Sequence, residues 1–255
     1  MIIGEVLPGG IEDSMNLQIT FGMILVLISA STIFKVLDTK GNIAATTVGI
    51  IIGCLGHWSW LAVLLTFLIS AHLATKWKWE RKTKMGINES DDGSRGWKNV
   101  ISNGGIPCAV AIFAYLIQDW TWTLPLFIST VCVASADTWA SEFGSLDPRV
   151  KLILSKRIVP PGTNGGFSPL GQKSAFFGSF LIGFSGLIFA WLPSQFIITT
   201  CIFWTFISII AGWLGCQFDS LIGALYENRG WISKGGVNNA AIGFGLCFTT
   251  IFVIF

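Results

Sequence analysis

Four stretches bring acids, amides, hydroxyls and glycines together in an otherwise strongly apolar chain. Ala136-Asp137-Thr138-Trp139-Ala140-Ser141-Glu142 closes an apolar run that begins at Leu124. An ionised side chain at bilayer depth costs roughly 2.5–3.5 kcal/mol even on forgiving insertion scales, so two carboxylates at such an edge imply a ligand or nearby water. Phe218-Asp219-Ser220 repeats the pattern, a carboxylate followed by a hydroxyl at the end of an apolar helix. Between the two acids lies Pro160-Pro161-Gly162-Thr163-Asn164-Gly165-Gly166-Phe167-Ser168-Pro169-Leu170-Gly171, preceded by Lys156 and Arg157. Such a segment offers backbone N–H groups and hydroxyls to phosphate oxygens, although the Walker A spacing is absent. The fourth stretch runs from Ser94-Arg95-Gly96-Trp97-Lys98-Asn99 to Ser102-Asn103-Gly104-Gly105. Asn99 and Asn103 are four apart and share a helical face, where buried carboxamides require hydrogen-bond partners.

These residue types fit phosphoryl chemistry at a membrane surface. Magnesium is typically held by one or two carboxylates, with substrate phosphates and waters completing the shell, which suits Asp137 and Asp219 as metal ligands. On a straight helix Ser141 aligns with Asp137, whereas Glu142 points about 140° away. Asp137 and Glu142 therefore meet one metal only if the helix breaks; otherwise each serves a separate ligand. Phosphoryl transfer asks for positioning and charge neutralisation more than for a covalent nucleophile. His57, at a turn, and His72, near a helix end, read as interfacial or packing residues. The six cysteines show neither C-x-x-C pairing nor metal spacing and read as small core residues.

The elements that must position these groups follow from composition. Of 255 residues, 52% are hydrophobic and only 12% charged, about half the charge of a soluble domain, and the mean hydropathy is +0.67. This describes an all-α, polytopic membrane protein. Apolar runs at 21–34, 43–56, 60–74, 100–117, 124–136, 174–192, 196–216 and 240–255 predict about eight transmembrane helices, several of them extended by flanking polar residues. A re-entrant hairpin over 43–74, folded about His57, is the alternative for that part.

All sixteen Lys and Arg fall in four segments, 35–40, 76–98, 149–173 and 229–234, and the intervening connections carry none. The positive-inside rule then places those loops in the cytoplasm and both termini opposite, with residues 1–20 a non-cytoplasmic segment. One membrane domain spans 1–255, its functional loops being 75–99, 137–173 and 217–239. Lys35–Gly41 reads as a plain connector, and the charged stretch 77–92 as a solvated loop. Trp58, Trp60, Trp77, Trp79, Trp120 and Trp122 are expected at the headgroup level. The basic residues are not massed on one face, so nucleic acid is not an expected partner. Glycine-bearing faces on an apolar body are the means by which such a chain self-associates.

The motifs at 94–105, 136–144, 159–171, 218–224 and Asn238-Asn239 together resemble the phytyl-phosphate kinase family of the vitamin E pathway, which includes transmembrane protein 19. The resemblance runs from about Lys35 to the C-terminus, and A-D-T-W-A-S-E with G-T-N-G-G is its specific part. It implies a polytopic enzyme that moves a phosphate from a nucleoside triphosphate, CTP above all, to a prenyl monophosphate such as phytyl or geranylgeranyl phosphate. By motif, Asp137, Glu142 and Asp219 become metal or catalytic acids. Arg95, Asn103, Thr163, Asn164, Gly165, Gly166, Ser168, Asn238 and Asn239 line the phosphate sites. Ser141 and Ser220 add hydroxyls there, and Lys156 or Arg157 joins Arg95 in neutralising charge. The family has Gln and Ala where Asn99 and Ser102 stand, so those two are not carried over. Alternative activities are a CTP-dependent polyprenol or phytol kinase and a CDP-lipid cytidylyltransferase. A lipid or small-solute transporter, or a scramblase, is the alternative of another class.

Overall fold

The computed structural model describes residues 9–88, 90, 92–191 and 197–254. Expectations for the first eight residues, for the 193–195 connection and for Phe255 lie outside the described residues. The fold is all-α apart from a two-residue ribbon. Its elements are α1 (Ser14–Phe34), α2 (Thr39–Ile50), which continues as a π-helical stretch Ile51–Gly56, α3 (Trp58–Lys76), the short α4 (Trp79–Lys84), α5 (Trp97–Ile117), α6 (Thr123–Gly144), β1 (Lys151–Leu152), β2 (Gly166–Phe167), α7 (Pro169–Gly186), prolonged by a π-helical stretch Leu187–Trp191, α8 (Ile198–Leu225) and α9 (Lys234–Ile254). Each apolar run thus forms a helix, which from α2 onward extends beyond the run into the polar residues of the basic end, whereas α1 extends its run at the other end.

Among the described residues, α1, α3, α5, α7, α8 and α9 are long and apolar enough to cross a membrane. The other two long helices, α2 and α6, pack in the same bundle without that signature. In α6 the reason is its serines and threonines, because it is the central helix: every residue from Thr123 to Ala136 is buried. Its hydroxyls are satisfied locally or across contacts, with Thr130 Oγ1 donating to Phe127 O at 2.6 Å and Ser135 Oγ to Gly178 O at 2.9 Å. Close approach of α7 to α6 depends on Gly178, whose missing Cβ leaves space that Ser135 and Trp139 border. Small residues at such crossings let helix backbones meet where the bilayer offers no hydrophobic drive between helices. The 43–74 segment is a pair of long helices, α2 and α3, reversing at an extended His57.

Contacts sort the connections into two ends. At one end, Gly10 N donates to Gly56 O (3.0 Å), Asn16 Nδ2 to Gly53 O (2.9 Å) and Trp120 Nε1 to Leu55 O (2.9 Å). The N-terminal segment, the His57 turn and the α5–α6 connection, all without basic residues, therefore lie together. Two tryptophans expected at the interface are core residues instead. Trp60 is fully buried and stacks on Phe127 with ring centroids 4.6 Å apart, and Trp120 is held by its indole hydrogen bond. Five of the cysteines are buried, as expected of small core residues, and Cys247 is exposed.

The four basic segments gather at the other end. The α1–α2 connection pairs with the start of α5, Arg95 N donating to Val36 O (3.0 Å) and Asp38 N to Arg95 O (3.2 Å). The third loop folds as the antiparallel β1–β2 ribbon, Lys151 opposite Phe167 and Leu152 opposite Gly166. Asp38 caps α2, accepting from Gly41 N at 2.5 Å, and Ser168 caps α7, accepting from Gly171 N at 3.0 Å with Pro169 next in the first turn. Both follow the preference for short oxygen-bearing side chains at helix starts.

Candidate functional site

A cavity of about 590 Å³ opens at the basic end, walled by the C-terminal turns of α3, α6 and α8, the N-terminal turns of α5, α7 and α9, and the 162–168 loop. Three helix N-termini facing one cavity make it favourable for anions, since the first-turn N–H groups and the dipole present partial positive charge there.

Asp137 and Asp219 converge at this cavity. They come from two crossing helices, α6 and α8, and their carboxyl groups are within hydrogen-bonding contact of each other. Asp219 Oδ1 is buried and has no hydrogen-bond partner among the described residues. Two carboxyls held together with an oxygen left over need a proton or a cation between them, and the pair fits the one or two carboxylates that magnesium takes from a protein. No group of three or more His, Cys, Asp or Glu assembles as a metal cage among the described residues.

Glu142 has a separate task. Because α6 runs unbroken through Gly144, Glu142 faces away from Asp137, and both its oxygens are engaged. Thr75 Oγ1 donates to Oε1 at 2.6 Å and Lys82 Nζ to Oε2 at 2.6 Å. Lys82 is 2% exposed and also donates to Ala74 O at 2.9 Å, closing the C-terminus of α3. The charged stretch 77–92 is therefore not simply a solvated loop: one of its lysines is buried and staples α4 to α6.

Arg95 reaches the cavity from the residue pair before α5. Its guanidinium donates to Thr75 Oγ1 (3.2 Å) and, at longer range, to Asn99 Oδ1 (3.4 Å) and Ala71 O (3.4 Å), and no carboxylate lies within ion-pair distance among the described residues. Burial pulls it below its ordinary arginine value, opposed by Glu142 and Asp137, and a guanidinium stays charged regardless.

The glycine-bearing loop forms the facing wall. Gly165 has φ +74° and packs against Ala224 of α8, a conformation and a clearance that both favour glycine. Part of the loop's N–H capacity is spent inside it, Gly166 N donating to Thr163 O at 2.9 Å. Beneath it, buried Asp147 accepts from Arg149 N and Nε, from Arg149 Nη2 and from Leu170 N, the last at 3.1 Å. The Arg149 hydrogen bonds hold its carboxyl down to about 2.

Of the residues singled out by sequence, Asp137, Glu142, Asp219, Arg95, Ser141, Thr163, Asn164, Gly165, Gly166, Ser168, Ser220 and Asn238 all line this cavity. Asn103 lies just beneath, accepting from Asn238 Nδ2 at 3.5 Å. Asn239 is half-buried beside it and outside the lining. Lys156 and Arg157 are a correction. They occupy the exposed turn of the third loop, with Lys156 N donating to Leu152 O at 2.8 Å, and do not reach the cavity. Its cationic lining comes instead from Lys82, Lys98 and Lys234, together with Arg95. Asp38 and Asn99 also line it, so the first loop is more than a connector. Nothing in the local pattern marks Lys82 among seven basic residues of its segment, and Lys234 stands at a helix start that the glycines after it leave inconspicuous.

The chain is 31% identical over 228 residues to an uncharacterized membrane protein, MJ0933, of Methanocaldococcus jannaschii, covering 89% of this chain and 90% of that one. It is 27% identical to Protein PGR of Arabidopsis thaliana over 251 residues, covering 91% and 86%. It is 25% identical to Protein VTE6, chloroplastic, of the same plant over 199 residues, covering 74% of this chain and 57% of that one. No solved structure matches it. The family described as Integral membrane protein DUF92 matches residues 22–243, nearly the stretch over which the motifs carry their resemblance. The chain belongs to the DUF92 family of integral membrane proteins.

Proposed function

We propose that this protein is a nucleoside-triphosphate-dependent prenyl-phosphate kinase, with CTP as donor, that converts phytyl or geranylgeranyl monophosphate to the diphosphate. The observation that carries the reading is the meeting of Asp137, Asp219, Arg95 and the Thr163–Ser168 loop in one cavity at the basic end of a membrane bundle. The motif resemblance to the phytyl-phosphate kinase family supports it, and the relationship to Protein PGR and Protein VTE6 is consistent with it.

In this mechanism an oxygen of the acceptor phosphate forms a bond to the terminal phosphorus of the donor while that phosphorus parts from its bridging oxygen. The nucleoside diphosphate leaves with the bonding electrons. The acceptor is already an anion, so no strong general base is required. Asp137 and Asp219 would hold Mg²⁺, which when bound neutralises and aligns donor phosphates. Arg95, Lys98 and Lys234 offset charge on the phosphates, and the helix N-termini of α5, α7 and α9 face them. Gly165 and Gly166 let the loop backbone come close to an anion, and Asn164 and Ser168 flank it.

The test is the purified protein in lipid with CTP, Mg²⁺ and prenyl phosphates, reading the nucleotide released. Release of CDP with formation of the diphosphate is expected, whereas pyrophosphate would mark a cytidylyltransferase and turnover of the free alcohol a polyprenol kinase. Asp137→Asn and Asp219→Asn are each expected to lower turnover by at least a hundredfold while the protein still extracts as a monodisperse species. Near wild-type turnover in either would remove the two-acid site. The transporter reading has less support: both acids sit on unbroken helices near one end, where a transporter would place them at mid-depth on broken ones.

A further inference from the structure

A second cavity adjoins the first. It is a crevice between α1, α2, α3 and α5 with mostly apolar walls, Leu27, Val48, Leu64, Leu65 and Leu68 among them, and a polar side formed by Arg95, Asn99 and Asn103. Arg95 and Asn99 also line the polar cavity, so one molecule with an anionic head and a hydrocarbon tail could occupy both at once. The guanidinium at the junction has no carboxylate partner among the described residues, and beyond its bond to Thr75 Oγ1 it makes two contacts at 3.4 Å, which leaves donors available to an anion. On the outer side, α1 is the least buried of the membrane-length helices, with 17% of its apolar window covered, so one wall of the crevice is a helix turned mostly away from the bundle.

We propose that this crevice seats the tail of a branched polyisoprenyl monophosphate, with Arg95 and Asn99 holding its phosphate beneath the nucleotide. The assignment rests on the phosphotransferase reading for the reaction, but tail binding is separable from turnover. At about 50 Å³ the crevice takes the part of the tail nearest the phosphate, and the remainder lies among lipid. The protein would then be selective for the first isoprene units and indifferent to total chain length.

The probe is geranylgeranyl monophosphate carrying a diazirine on its second isoprene unit, photolysed with the full chain in liposomes without nucleotide. Adducts are expected on α1 and α3, at Leu27, Leu64, Leu65 or Leu68. Excess unlabelled geranylgeranyl phosphate should remove them and phosphatidic acid should not. Ala45→Phe and, independently, Leu64→Trp fill the crevice and are expected to cut labelling at least fivefold. Adducts concentrated on α7, α8 or α9, labelling unchanged in both variants, or equal competition by phosphatidic acid would overturn the proposal. Labelling needs no chemistry. Adducts on α1 and α3 without nucleotide release would sink the kinase reading alone, and turnover with labelling elsewhere would sink this one alone.

Discussion

At the scale of single residues, the site depends on which acid faces which partner. Asp137 and Glu142 are five apart on one straight helix, and that spacing sends them to different neighbours, Asp219 and Lys82 respectively. Both oxygens of Glu142 are engaged, by Thr75 and by Lys82. Removing one member of a buried ion pair strands the other, at a cost of about 3 kcal/mol or more. Lys82→Met or Glu142→Gln should therefore lower the thermal midpoint in detergent clearly. The double variant should recover most of the loss, and if it is merely additive the pair is not coupled as described. Asp147 makes a pH-dependent contribution. Its carboxyl is held at about 2, below an unfolded value of about 3.9, so its stabilisation is full above that value and is lost as pH falls toward about 2. The gap in thermal midpoint between wild type and Asp147→Asn should shrink across that window. A constant gap would show that the carboxylate's charge is not what stabilises.

At the scale of elements, the third loop and the helix it feeds determine the shape of the anion-facing wall. Ser168 caps α7 in the same stretch that lines the cavity. Ser168→Ala should cost about 1 kcal/mol, the usual cost of an N-cap, with a modest effect on nucleotide KM. Gly165→Ala should act differently, because φ is +74° and Ala224 stands where a new methyl would go. A left-handed conformation costs about 1–2 kcal/mol for a residue with a Cβ, and relief requires the loop to shift. A rise in nucleotide KM of tenfold or more is expected, larger than for the serine variant. Equal effects would show that the loop backbone does not approach the donor. The tight contact of α7 with α6 at Gly178 belongs to the same scale, since it sets the distance between the loop's exit and Asp137.

At the scale of the molecule, the arrangement is a bundle with one end free of basic residues and one basic end. The basic segments, separated in sequence by pairs of helices, meet around one cavity, and the connections without basic residues meet at the other end. Cysteine labelling in sealed vesicles tests this directly. In a background lacking Cys247, the one exposed native thiol among the described residues, Lys156→Cys and Gln118→Cys should react with an impermeant maleimide from opposite sides. The first should be labelled from the face that the positive-inside rule assigns to the cytoplasm. Labelling of both from one side would dismantle the arrangement.

Hydrophobic content, the alternation of apolar runs with basic segments and the motifs were sufficient by themselves to indicate a helical membrane body, the separation of basic from non-basic connections and twelve of the residues that line the cavity. Apolar length and charge placement are local properties, and the bilayer responds to them directly. The direction of Glu142 was readable as well, because a helix rotates by a constant angle per residue. What only the tertiary structure decided is how distant helices meet. Convergence of Asp137 with Asp219 depends on how α6 and α8 cross, burial of Trp60 and Lys82 on which helices surround them, and the exclusion of Lys156 and Arg157 on a turn that directs them outward. None of these has a local signature, since a lysine in a charged run is the same residue whether it ends in water or beneath a carboxylate; packing between segments far apart in the chain makes the difference.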